Sequence, residues 1–111
     1  MERGKKMRME RIAVPMPHST AKAFRRYAQV HDVDLCVAAK KAVTEYCRMT
    51  PAVNDLIRRT DEQDRMFVSM PDTAMRLLEL WSENAGISKA KLMEWAIRKL
   101  VEEDNEFKEE Q

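Results

Sequence analysis

The sequence predicts a mainly α-helical fold carrying a two-stranded antiparallel β-ribbon, built from two copies of one strand-helix-helix unit in a single chain. Three observations lead there. A repeat sets Arg11 over Arg65 and keeps that one offset as far as Cys47 over Val101. Each copy opens on a period-two alternation and continues with two stretches of helical periodicity. Only two Gly and four Pro occur among 111 residues, which favours long helices over a many-stranded sheet.

The repeat needs no gap. Residues 11–47 align with residues 65–101, placing RIAVPMPHSTAKAF over RMFVSMPDTAMRLL. Val14 meets Val68, Met16 meets Met70 and Pro17 meets Pro71. Phe24-Arg25-Arg26-Tyr27 lies over Leu78-Glu79-Leu80-Trp81, and Ala42-Val43 over Ala96-Ile97. Identity is low, but the order of apolar and polar positions holds throughout.

In the first copy Ile12, Val14 and Met16 fall on one side of a strand, opposite Arg11, Ala13 and Pro15. In the second, Met66, Val68 and Met70 oppose Arg65, Phe67 and Ser69. A slip of one residue would bury both arginines, so the register is well specified. Pro17 or Pro71 ends each strand. Ser19 and Asp72 are the expected N-caps of the helices that follow. Ala21, Phe24, Tyr27 and Ala28 form the apolar stripe of the first helix. Met75, Leu78 and Trp81 form that of its counterpart, with Leu77 and Ala85 beside it. Gly86 suits a helix C-cap and Ser88 the next N-cap. Leu92, Met93, Ala96, Ile97 and Leu100 then form a stripe matched in the first copy by Ala38, Ala39, Ala42, Val43 and Tyr46, opened by Asp34. Trp95 falls beside its stripe. Between the copies, Thr50-Pro51 has the pattern of an N-cap and first helical residue, predicting a short helix over residues 51–59 and a polar loop after it.

The expected organisation is therefore a basic arm (1–10), a first unit (11–49), a linker (50–64), a second unit (65–103) and an acidic tail (104–111), with both units in one domain. A lone strand with two helices cannot pair its strand or bury both helix faces. Fusion raises the effective concentration of the halves, often to the millimolar range. The arm carries Arg3, Lys5, Lys6 and Arg8, and the tail Glu106, Glu109 and Glu110. This polarity suggests a polyanion at the N-terminal end. Both ends also read simply as solubilising tails.

Catalysis finds little support. His18 and His31 are the only histidines, and neither has a spacing with Cys, Asp or Glu that suggests a metal site or a nucleophile dyad. There is no Gly-rich phosphate loop. No enzyme activity, cofactor or metal is expected. Cys36 and Cys47 lie roughly 16 Å apart along one helix, too far to bridge, and read as buried free thiols. No apolar run approaches the ~20 residues of a membrane span, and no apolar leader follows the charged N-terminus. The expected compartment is the cytoplasm.

An arginine-led alternating strand ending in Pro, an amphipathic helix, a Gly-Ile-Ser junction and a helix of form SKAKLMEWAIRKL together resemble the ribbon-helix-helix DNA-binding superfamily of Arc and MetJ. Residues 65–101 carry the likeness best. Residues 11–47 depart from it where Asp32-Val33-Asp34 replaces Gly86-Ile87-Ser88. As a tandem single chain it is similar in architecture to TraY-type relaxosome accessory proteins. The resemblance implies an intramolecular pseudo-dimer of two ribbon-helix-helix repeats. It implies a sequence-specific double-stranded DNA-binding protein, either a transcriptional regulator or a DNA-processing accessory factor, whose ribbon enters the major groove. Carried over by position, Arg11, Arg65, Phe67 and Ser69 would meet base edges. Ser88 and Lys89, helped by Lys5, Lys6 and Arg8 of the arm, would hold phosphates. Ala13 and Pro15 bring no hydrogen-bonding side chain, Pro15 removes a ladder donor, and Asp34 would repel a phosphate. DNA contact is thus expected to be heavier on the second copy.

The alternative is a protein-interaction module, or an antitoxin-like regulator, using Phe67, Trp95 or the acidic tail. The single-chain reading predicts a sedimentation mass near 13 kDa, and leaves room for further assembly on DNA. An obligate dimer with exchanged strands would contradict it.

Overall fold

The computed structural model describes residues 8–56 and 63–104. Strand β1 (Met9–Pro17) leads into helix α1 (His18–His31) and α2 (Leu35–Tyr46); after a 3₁₀ turn at Val53–Asp55 come β2 (Gln63–Pro71), α3 (Asp72–Ala85) and α4 (Lys89–Glu102). The protein is mainly helical, with one two-stranded antiparallel sheet. Both strands, the helices α1 and α3, and the starts of α2 and α4 recur at the same offset that sets Arg11 over Arg65 in the sequence.

The strands pair as Arg11 with Ser69, Ala13 with Phe67 and Pro15 with Arg65 on the outward face, and Ile12 with Val68 and Val14 with Met66 on the inward one. The Asp72 N–H donates to the Arg8 carbonyl at 2.9 Å, continuing the ladder past the strand end. That bond places the even-numbered residues of β1 at hydrogen-bonded positions and the odd-numbered ones between them. Pro15 is odd-numbered, so its nitrogen faces away from β2. It does not remove a ladder donor, contrary to expectation, because both strands of a two-stranded ribbon have a free edge where Pro is tolerated.

Below the ribbon lies one core. Val14, Met16, Met66, Val68 and Met70 come down from the sheet onto Phe24, Leu78, Leu92, Met93 and Ile97, all buried. The packing crosses between the units: α2 lies against β2, α4 against β1, and α2 against α4. Small residues on α2 (Ala38, Ala39, Ala42) stand at positions equivalent to Leu92, Met93 and Ala96, which lets the two central helices approach closely.

Several local expectations change. Helix α1 begins immediately at His18 and α3 at Asp72, so Pro17 and Pro71 are the N-caps, and neither Ser19 nor Asp72 caps with its side chain. A proline with φ near −60° and ψ near 151° passes from strand to helix in one residue, leaving no room for a Ser or Asp cap. Asp72 instead sits in the first turn, favourable against the helix dipole. Helix α3 ends on Gly86 in the left-handed region (φ 70°), and its counterpart Asp32 adopts φ 56° at the end of α1. The helix expected over 51–59 shrinks, within the described residues, to the single 3₁₀ turn. Pro51 is buried and Leu56 packs against the core, so that stretch is spent on anchoring rather than on a regular helix. Cys47 is buried, but Cys36 is half-exposed, since it faces away from the stripe that meets α4. Burial pushes the Cys47 thiol up to about 12. Among the described residues no helix is long and apolar enough to cross a membrane.

Both tryptophans, Trp81 and Trp95, belong to the second unit, whereas Phe24 belongs to the first. Phe24→Ala should lower stability by about 3–5 kcal/mol. Because the core is shared, tryptophan fluorescence should follow that loss in a single urea transition. A tryptophan transition left at the wild-type midpoint would show that the units melt separately.

Candidate nucleic-acid interface

The outward ribbon face is built by strand alternation alone. Its pairs occupy the non-hydrogen-bonded positions, where opposing side chains stand closest. Arg11 and Arg65 are both exposed, and Ser69 is half-buried. Phe67 is 59% exposed. Facing it is only the methyl group of Ala13. The Arg11 guanidinium reaches diagonally across the ribbon and lies over the Phe67 ring, 5.3 Å from its centre. The structure thus brings four expected residues, Arg11, Arg65, Phe67 and Ser69, onto one surface.

The helix starts differ between the units. Ser88 caps α4, its Oγ accepting from the Lys91 N–H at 3.2 Å. Lys89 and Lys91 are exposed on the first turn, beside backbone N–H groups outside the intrahelical ladder. Lys89 Nζ also meets Glu79 Oε2 at 3.3 Å, an exposed pair that contributes little by itself. At α2 the side chain of Asp34 makes no capping bond, and the positions of Lys89 and Lys91 are taken by Leu35 and Val37, both exposed. Arg8 is exposed and its carbonyl joins the ribbon ladder. Lys5 and Lys6 lie outside the described residues, as does the acidic tail beyond Asp104.

Trp95 does not lie on the open surface. It is 5% exposed. The buried face of α4 runs unbroken from Leu92 to Ile97, because ribbon and helices surround this helix on several sides. The same enclosure takes in Glu94, fully buried, which the apolar pattern of the sequence does not single out. Its carboxylate accepts from Arg98 Nε at 2.8 Å and Nη2 at 3.0 Å, and Nη2 also donates to the Asp55 carbonyl at 2.6 Å. The bond to Glu94 holds the Arg98 guanidinium above its ordinary pKa. The pair ties the linker to α4, and its only signal in the sequence is the four-residue spacing of Glu and Arg. His31 lies between the end of α4 and Tyr27. Its Nε2 lies 3.1 Å from both Asp104 carboxylate oxygens, and its ring stacks near Tyr27 at 4.4 Å.

No family model matches the chain, and no curated protein or solved structure matches it significantly.

Proposed function

We propose that the chain is a tandem ribbon-helix-helix protein, an intramolecular pseudo-dimer that binds double-stranded DNA by laying its ribbon in the major groove. The observation that carries this reading is the pair of exposed arginines on the outward face of a two-stranded ribbon. The repeat offset maps the strand register onto itself, with the pair Ala13–Phe67 at the centre and Arg11 and Arg65 on either side. Four residues of strand separate the two arginines, roughly 13 Å, close to the rise of four base pairs at about 3.4 Å each. A two-stranded ribbon fits the major groove, and an arginine fork matches the N7 and O6 acceptors of guanine. The Ser88-capped start of α4, with Lys89 and Lys91, suits a backbone phosphate. The equivalent start of α2 offers Leu35 and Val37 instead, so the phosphate grip is one-sided.

A second reading has its own observation. Phe67 and Met9 on the ribbon, with Val33, Leu35 and Val37 at the start of α2, are large apolar side chains left exposed. They suit a protein surface, and they favour a module that binds protein through the same scaffold.

Binding to random duplex DNA across a salt series separates the two. DNA binding gives an affinity that falls linearly in log–log form with salt, and Lys89→Ala lowers the slope by about one. Leu35→Ala leaves the slope unchanged, and joint Arg11→Ala and Arg65→Ala weakens binding to any selected site. Absence of binding at low salt would remove DNA as the ligand and leave the protein-interaction reading.

A further inference from the structure

The two arginines of the ribbon are equivalent by position but not by surroundings, and the difference bears on which DNA sequence they would take. This inference rests on the DNA-binding reading. Arg11 lies over the Phe67 ring. The residue equivalent to Phe67 in the first unit is Ala13, so Arg65 has no aromatic ring at the matching place, and it faces Pro15 across the ribbon. An apolar ring and a hydrogen-bond fork are therefore joined on one side of the centre and not on the other.

The chemistry of this joined pair is selective. The Phe67 ring offers no hydrogen-bond donor or acceptor, and the guanidinium offers donors alone. In the major groove thymine presents its 5-methyl group, and guanine presents two acceptors. Cytosine without a 5-methyl group offers the ring no apolar partner in the groove, and adenine offers none either. With the guanidinium carbon 5.3 Å from the ring centre, ring and fork are close enough to meet neighbouring base pairs. A cation held near the ring face keeps its N–H donors available to a base.

We infer that Phe67 and Arg11 act as one composite reader of a pyrimidine 5-methyl group beside a guanine, met in DNA as a thymine–guanine step or as a methylated cytosine–guanine step. The reader occupies the middle of the ribbon and extends to one side. The binding site is accordingly asymmetric although the scaffold is twofold, and 5-methylation of cytosine in the right place strengthens binding.

The test uses the full chain and three randomised pools of about twenty base pairs: one ordinary, one with uracil in place of thymine, and one with 5-methylcytosine in place of cytosine. Selection from the ordinary pool should enrich thymine next to guanine. Replacing that one thymine by uracil in a selected duplex should weaken binding about fourfold, the worth of one buried methyl group. The methylcytosine pool should yield methylated cytosine next to guanine at the same place. Phe67→Ala alters an exposed side chain and should abolish the difference between a selected thymine duplex and its uracil counterpart. Arg11→Lys should relax the choice of guanine alone. Equal binding of the thymine and uracil duplexes, or a difference that survives Phe67→Ala, overturns the composite reader and leaves DNA binding standing. No binding to any pool at low salt overturns the DNA-binding reading and the inference with it.

Discussion

A strand that supplies one half of a two-stranded ribbon has nowhere to send its backbone bonds until the other half arrives. Here the halves begin at Met9 and Gln63, with two helices and a linker between them. The loop-closure entropy of that separation grows only slowly with length, so the pairing is accessible within one chain. Once the ribbon forms, the rest follows. Alternation sends Val14, Met16, Val68 and Met70 to one side and Arg11, Arg65 and Phe67 to the other. The inward side chains need helices beneath them, and those helices cross over, α2 onto β2 and α4 onto β1. Neither unit can complete its core from its own residues.

Much of this is legible in the sequence because it rests on periodicity. The alternation in 11–16 and 65–70, the stripes of the four helices, and the Gly86 and Ser88 boundary all stand where their spacing puts them. The failures share a cause as well. Ser19 and Asp72 look like caps in isolation, but the strand register carries a proline to the last non-helical position. Pro15 looks disruptive until the ladder parity is known, and parity is a property of two strands, not of one. Trp95 and Glu94 fall outside the apolar stripe of α4 and are buried all the same. A stripe describes a helix with one buried side, and α4 is enclosed on several. Of the candidate interface, the identities of the four ribbon residues are visible in the sequence. The placement of Arg11 over the Phe67 ring is not, since it depends on a diagonal neighbour supplied by the other unit.

A repeated order of elements and one-sided detail coexist throughout. Arg98, held by Glu94, donates to the Asp55 carbonyl, but the equivalents of this pair in the first unit are Lys40 and Thr44, which cannot form such a tie. His31 meets Asp104 where the second unit has Ala85 and the first has Thr50. Each tie secures a stretch of chain that occurs once: the linker in one case and the end of α4 in the other. The surface diverges in the same manner, with Lys89 and Lys91 on one helix start and Leu35 and Val37 on the other. A core shared between halves constrains the inward positions together, whereas outward positions are free to differ. The proposed DNA contact draws on that freedom.

The dependence of everything on one ribbon can be measured through the amides that form it. Ile12 and Val14 in β1, and Met66 and Val68 in β2, occupy hydrogen-bonded positions. Native-state hydrogen exchange should find all four opening only with the whole molecule, at one free energy equal to that of global unfolding. Exchange of Ile12 and Val14 at a distinctly lower free energy, with the amides of α4 still protected, would contradict the account, since it would mean that the second unit keeps its fold after the first strand has left.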